Sequence, residues 1–241
     1  IRRALERSRD ASAMSFVAQT ASEILGPAAT IEHMRTLPEG STAGMRIAMG
    51  QVAARSGRWS QAADHFAEAL NNVPTDAESV RLSTLSQLAT ALHQAGEHER
   101  AAERYQQYLD QRPNNPQMLN NFAFLLASDL DEAERALPLA ERAVEVSGAS
   151  ATVLDTLGWV QHQLGRNTEA LATLRRSADL QPLPANQYHL GRVLAAEGRQ
   201  QEARDAFERA IELAEAAQDT DTRDKARAQL NRLAQPASRT E

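Results

Sequence analysis

The chain has 241 residues, of which 42% are hydrophobic, 24% charged and only 4% aromatic. This apolar fraction can form a core, and its composition suits close-packed helices better than a β-sandwich, which favours β-branched and aromatic residues. The absence of cysteine excludes disulfide scaffolds and thiolate metal sites, and a formal charge of −6 argues against nucleic acid as the main partner.

The N-terminal segment, residues 1–42, is predicted to form a degenerate pair of helices. Gly26 and Pro27 interrupt its helical composition, and a second break is expected at 38–40, where proline and glycine flank a glutamate. The apolar residues of this segment give it a surface that can pack on the part of the chain that follows: Phe16, Val17, Ile24, Leu25 and Ile31.

Four glycines recur along the chain, each after an alanine-rich apolar stretch and before a polar turn: Gly57, Gly96, Gly165 and Gly198. Their spacing fits a period of about 34 residues with small insertions and one deletion. Alignment on these glycines gives five copies, at 43–76, 82–115, 116–150, 151–183 and 184–217. The apolar residues within the copies follow the spacing of a helix face, and strand-like alternation is absent.

Three segments depart from this pattern. The insertion at 77–81 contains no helix breaker, so we expect it to lengthen the following helix by more than one turn. The copy at 116–150 lacks the turn glycine and carries Pro138 in its second helix. Residues 218–241 are predicted to form a polar capping helix and then a frayed tail, because a helical array needs its last apolar surface shielded.

The copies resemble the tetratricopeptide repeat (TPR). A small residue stands at the eighth place of the unit, as in Gly50, Ala89 and Gly158, and a large apolar residue such as Phe66 follows in the second helix. The resemblance implies an all-α, right-handed α-solenoid of about five helix-turn-helix units. The aromatic residue that the family usually has at the fourth place is missing from all five copies.

No pattern in the sequence predicts catalysis, a cofactor or a metal site. His93 and His98 are five residues apart and straddle a turn, which differs from the i, i+4 spacing of a helical zinc pair. The acidic run at 129–132 is typical of a helix start. Lys225 is the only lysine, which disfavours chemistry through a lysine nucleophile. The sequence therefore predicts a protein that is not an enzyme.

The TPR resemblance also implies that the first helices line a concave groove, with places 2, 5, 9 and 12 of each unit pointing into it. Three consecutive copies supply an aromatic ring there, in a chain that has few such residues. The predicted partner-binding residues are Gln51, Arg55, Ser86, Thr90, His93, Asn120, Phe124, Asp155, Trp159, His162, Tyr188 and Arg192.

One interpretation of these rings is a peptide-binding groove with aromatic anchors, in which Trp159 is the exposed ring and Phe124 belongs to the core. The alternative is that the rings pack on neighbouring helices or on the chain's own ends. The lysine-containing carboxylate clamp of the best-known TPR grooves is absent, because no basic residue stands at the fifth places: Ile47, Ser86, Asn120, Asp155 and Tyr188.

The sequence favours a scaffold that binds a partner protein or peptide, and two alternatives stay open. The copies could assemble with one another, or the chain could be the regulatory segment of a larger enzyme, since it begins at Ile1 rather than at a methionine. The stretches 120–123 and 154–159 resemble bacterial TPR proteins of the cell envelope, including those that accompany exopolysaccharide export. This resemblance implies a role in an envelope or export assembly. No apolar run approaches the roughly 20 residues of a membrane span.

Overall fold

The computed structural model describes residues 11–37 and 42–234, and these residues form thirteen helices and no strand. The all-α fold predicted from the sequence is thereby confirmed. The expected break at 38–40 and the expected tail at 235–241 lie outside the described residues. The helices are α1 (Ala11–Leu25), α2 (Pro27–Arg35), α3 (Ala43–Arg55), α4 (Trp59–Asn72), α5 (Glu78–Gln94), α6 (His98–Gln111), α7 (Pro116–Ser128), α8 (Ala133–Ser147), α9 (Ala151–Gln163), α10 (Asn167–Leu180), α11 (Pro184–Ala196), α12 (Gln200–Ala217) and α13 (Thr220–Ala234).

The helices form two compact units that divide between Pro113 and Asn114. In the first unit, α1 and α2 pack on α3, and the hairpins α3–α4 and α5–α6 follow. The second unit contains the hairpins α7–α8, α9–α10 and α11–α12, and α13 packs on α12. Each hairpin contains the two helices expected of one sequence copy, so that α3, α5, α7, α9 and α11 are the first helices and their partners are the second helices.

The bend within each hairpin depends on a left-handed residue. All four recurrent glycines have φ between 71° and 79°, a region that a Cβ atom disfavours. In the degenerate copy Asp131 takes this conformation instead, with φ 55°. The Glu132 backbone N–H then bonds to the Leu126 carbonyl, which ends α7 as the glycine bends end the other first helices. The prediction of matching bends at the glycines is confirmed.

The small residue at the eighth place allows the two helices of a hairpin to approach closely. A Cβ atom on Gly50 would lie 2.6 Å from the ring of Phe66, and one on Gly191 would lie 2.6 Å from the ring of Phe207. Both rings are 2% exposed or less. In these two hairpins the aromatic ring of the second helix therefore fills the space that glycine leaves on the first.

Polar caps and prolines determine where the first helices of the second unit begin. The Asn115 side-chain oxygen accepts a hydrogen bond of 3.0 Å from the Met118 backbone N–H at the start of α7. Ser150 caps α9 in the same way. Helix α11 begins at Pro184, where the missing N–H costs no intrahelical bond. These features mark the first residues of the three helices that carry the candidate site.

Three segments lie outside the regular copies. Helix α5 has 17 residues whereas α7, α9 and α11 have 13, so the insertion at 77–81 lengthens it by just over one turn. Gly26, with φ 80°, separates α1 from α2. Ile31 is buried as expected, but Phe16, Ile24 and Leu25 are exposed, so the expectation that they pack on the following part of the chain is wrong. In α13, Ala226 is completely buried, and Leu230 and Leu233 pack against the core of the last hairpin. This helix shields the end of the second unit, as a cap must.

Candidate functional site

The second unit contains a cluster of side chains on its first helices, α7, α9 and α11. Helix α9 lies between α7 and α11 and contacts both. We define the ring cluster as Phe124 on α7, Trp159 on α9, and Tyr188, His189 and Arg192 on α11. Four of these five residues are among the predicted groove residues, and only His189 is not.

Trp159 is at the centre of the ring cluster. Its ring stacks on the ring of His189, with centroids 4.5 Å apart and planes 25° apart. Its indole N–H donates a hydrogen bond of 2.9 Å to the Ser128 hydroxyl on the neighbouring first helix. The side chain therefore joins α9 to both of its neighbours, and the residue is only 7% exposed.

The sequence-based expectation about the two rings is therefore wrong. Trp159 is buried rather than exposed, and Phe124 is half-buried rather than part of the core. The physical reason is size, because an indole on the middle helix is long enough to contact both adjacent helices and is covered by them. The Phe124 ring remains at the margin, with its centroid 6.3 Å from that of His189.

Beneath the rings lies a buried acid–imidazole pair. His189 Nδ1 is 2.8 Å from Asp155 Oδ1, and each residue is 7% exposed. Asp155 was predicted to line the open groove, but this buried carboxylate instead holds the imidazole that supports Trp159. Asp155 and His189 are 34 residues apart, which is one repeat period. The sequence does contain a signal for this pair, because an acid stands at the fifth place of one copy and a histidine at the sixth place of the next.

Arg192 supplies the positive charge of the ring cluster. Its guanidinium carbon lies 5.4 Å from the Trp159 ring centroid and 5.8 Å from that of Tyr188, both within the range of cation–π attraction. Its Nη1 donates a hydrogen bond of 3.0 Å to the Tyr188 hydroxyl. Arg192 is half-buried and forms no ion pair with a carboxylate of the described residues. The charge is thus held in a fixed position without being neutralised.

Two other predicted residues of this unit have different surroundings. The His162 ring lies 5.3 Å from that of Trp159, and its Nδ1 is 2.7 Å from Asn167 Oδ1. Asn167 in turn donates a hydrogen bond of 2.7 Å to Glu197. Asn120 is 9% exposed, so the expectation that it faces an open groove is wrong, because its side chain is buried. His162 therefore extends the ring cluster along α9, whereas Asn120 does not.

The five predicted residues of the first unit do not form a comparable cluster. Gln51 donates a hydrogen bond of 2.9 Å to Gln87 on the next first helix. The hydroxyls of Ser86 and Thr90 both donate to carbonyl oxygens of their own helix, and Arg55 is exposed. The His93 ring packs edge-on against the rings of His98 and Tyr105, with centroids just over 6 Å apart. Their assignment as partner contacts stays a prediction.

The ring cluster has the composition of a recognition site. Tryptophan, tyrosine and arginine are the residues that most often dominate binding energy at protein interfaces. Here Arg192 contacts both rings, and both rings lie against His189 of the buried polar pair, so little conformational entropy remains to be lost on binding. Among the described residues, no helix is both long and apolar enough to cross a bilayer.

Comparison with known proteins agrees with this architecture. Among solved structures, TTC0263, a thermophilic TPR protein of Thermus thermophilus, has a TM-score of 0.63 and 22% identity, covering 78% of this chain and 99% of its own. MamA (41-end) from Desulfovibrio magneticus has a TM-score of 0.59 and 22% identity, covering 72% of this chain and 96% of its own. At this identity the likeness shows the α-solenoid fold alone. None of the curated proteins matches the sequence.

The family comparison is more direct. The tetratricopeptide repeat family matches residues 47–116, 123–183 and 157–220, which together span well over half of the chain. These ranges include the hairpins that carry the glycine bends and the close helix contacts. The chain therefore belongs to the tetratricopeptide repeat family.

Proposed function

We propose that this chain is a non-enzymatic interaction scaffold that binds a partner peptide or helix at the ring cluster of its second unit. The family supports the general role, because stacked helix hairpins build extended binding surfaces. The observation that carries the specific proposal is Arg192, whose charge is fixed by Trp159 and Tyr188 and is not neutralised by a described carboxylate.

The partner contact is expected at the accessible part of the cluster. Phe124, Tyr188 and Arg192 are half-buried, so each still offers surface to a second molecule. Trp159, Asp155 and His189 are too buried for broad contact and act as the support. A partner segment would cover the exposed edges of the rings and bring a hydrogen-bond acceptor to the guanidinium.

The test compares Arg192→Ala with Arg176→Ala, a matched control for an exposed arginine on α10. Proteins from the source cells that are crosslinked to the intact chain are identified, and the affinity of the recovered partner is measured by calorimetry. We expect Arg192→Ala to weaken binding at least tenfold, about 1.4 kcal/mol, and the control to change it little. Equal affinity of the partner for the wild type, Arg192→Ala and Arg176→Ala would refute the role of the ring cluster.

The finer proposal is that the partner belongs to a bacterial envelope or export assembly. Its support is the resemblance of 120–123 and 154–159 to envelope TPR proteins, and these stretches include residues of and around the ring cluster. Cell fractionation of the recovered partner tests this, and a partner found only in the cytoplasm would contradict it. Light scattering over a dilution series distinguishes self-assembly, since a mass that rises with concentration would indicate that the partner is another copy.

A further inference from the structure

A cleft of about 590 Å³ lies in the first unit and is lined by residues of α4, α5 and α6. Helix α5 packs against both of the other helices, so it forms the bottom of the cleft, and the second helices α4 and α6 form its sides. The volume is typical of a ligand-binding site. The cleft is separate from the ring cluster, which belongs to the other unit.

The inserted residues 77–81 form one end of this cleft. The other four first helices begin at the first place of their copies, whereas Arg81 precedes that place and belongs to the extra turn of α5. Arg81 lines the cleft and donates a hydrogen bond of 3.2 Å to the Val73 carbonyl at the end of α4. Glu78, in the same turn, forms an ion pair of 2.8 Å with Arg112 at the end of α6. The insertion therefore contacts the ends of both second helices and adds a positive charge to the cleft.

Two guanidinium groups of the cleft have no carboxylate partner among the described residues. Arg81 donates to the Val73 carbonyl, and Arg104 donates to the side-chain oxygen of Gln107, 2.8 Å away. Both arginines line the cleft and are half-buried, so part of each side chain is accessible to a bound molecule. A guanidinium has five N–H donors, and these two hydrogen bonds use one donor of each group. The cleft can therefore offer charged donors to an anion.

The charge balance favours an anion with a single negative charge. Among the described residues that line the cleft, Asp110 is the only acid, and it accepts a hydrogen bond of 2.8 Å from Gln106. Two arginines and one aspartate give the lining a formal charge of +1, in a chain whose formal charge is −6. A carboxylate neutralises this charge and matches the planar fork of a guanidinium. A dianionic phosphate would leave an excess negative charge close to Asp110.

The rest of the lining indicates what carries the carboxylate. Leu85 and Leu88 form an aliphatic floor, and the half-buried Leu70 adds apolar surface beside them. The exposed side chains of Gln107 and Gln111 line the same cleft. Amide groups have both donors and acceptors, which match the N–H and C=O groups of a polypeptide backbone. An extended segment with an acidic side chain between aliphatic ones matches all three parts of the lining.

We propose that this cleft binds an extended segment of a partner protein and holds its glutamate or aspartate carboxylate at Arg81 and Arg104. The probe is acetyl-Leu-Ala-Glu-Ala-Leu-amide, in which alternate side chains share one face of the extended chain. It is titrated into the intact, ¹⁵N-labelled protein and observed by NMR. We expect saturable shifts of the Nε–H signals of both arginines, and none with the glutamine version of the peptide. Equal shifts with the glutamine version, tighter binding of a phosphoserine version, or equally tight binding of acetate would overturn the proposal.

Two substitutions of opposite effect make the test sharper. Arg104→Gln removes one guanidinium and should weaken peptide binding roughly tenfold. Its control is Arg100→Gln, one turn earlier on α6, where the guanidinium is already paired with Glu97 and does not line the cleft. Asp110→Asn removes the repelling carboxylate and should tighten binding about threefold. Its control is Glu103→Gln, which changes an exposed acid of α6 outside the lining. Circular dichroism checks that the variants are folded, and an equal effect of each substitution and its control would overturn the assignment.

Discussion

Replacement of Trp159 by alanine tests whether the ring cluster is a structural part of the second unit. The indole is 7% exposed, and truncation of such a buried aromatic side chain costs about 3–5 kcal/mol. The lost hydrogen bond to Ser128 adds about 1 kcal/mol. Ser128 is itself half-buried and can be rehydrated, so no larger penalty for an unpaired hydroxyl is expected. We therefore expect the unfolding free energy of the second unit to fall by about 4–6 kcal/mol.

The measurement must report on the second unit separately, because repeat proteins can unfold in parts. Native-state hydrogen exchange at the amides of α9 and α11 gives the opening free energy of these helices. Urea unfolding followed by circular dichroism gives the corresponding value for the whole chain. The variant Trp159→Phe retains a ring over His189 and loses the indole N–H, so its cost should be smaller, about 1–2 kcal/mol.

The other tryptophan provides the control. Trp59 is half-buried at the first position of α4 in the first unit, and Trp59→Ala should leave the exchange of α9 and α11 unchanged. A loss below about 1 kcal/mol for Trp159→Ala would refute the reasoning, since no buried indole of this size can be removed so cheaply. It would also restore the expectation from sequence that this ring is exposed and free to contact a partner.

Three further substitutions address separate features. Asp131→Gly removes a Cβ atom from a left-handed bend and should stabilise the second unit by about 0.5–1 kcal/mol in urea unfolding, whereas a loss would show that the carboxylate itself holds the turn. The pKa of His65 is lowered in the folded chain, so the unfolded chain binds the proton more tightly. The wild type should therefore lose stability as the pH falls below about 6.5, and His65→Phe should reduce this loss in urea unfolding at several pH values. Asp155→Ala should cost more stability than the double change with His189→Leu, because the single change leaves a buried imidazole without its partner, and equal costs would refute this coupling.

The fold could be predicted from the sequence because its requirements are local and steric. A left-handed bend and a close helix crossing both demand a small residue. The bend at Gly57 and the crossing at Gly50 can therefore be recognised from the sequence without any knowledge of distant contacts. The same reasoning predicted the lengthening of α5 by residues 77–81, since nothing in that insertion ends a helix. Where glycine was missing, at Asp131, the bend persisted, because the surrounding hairpin imposes it and aspartate tolerates the left-handed region.

The candidate site was less predictable because its geometry depends on side chains from neighbouring copies. The helical place of Trp159 was correct, but its burial is determined by Ser128 on one neighbour and His189 on the other. A position within one repeat gives the direction in which a side chain leaves the helix, and it gives no information about what covers that side chain. The role of Asp155 was misassigned for the same reason, since its partner lies a full period away.

Contacts between residues one repeat period apart differ greatly in how much they contribute to stability. Arg112 and Glu78 are also 34 residues apart and form an ion pair of 2.8 Å, but both side chains are more than half exposed. Such a pair is screened by water and contributes at most about 1 kcal/mol. The Asp155–His189 pair has the same separation but is buried, so a displacement of one helix would leave both groups unpaired at a much higher cost. The buried Asp155–His189 pair, unlike the exposed ion pair, therefore fixes the register of α9 and α11. This register keeps Trp159, Tyr188 and Arg192 together.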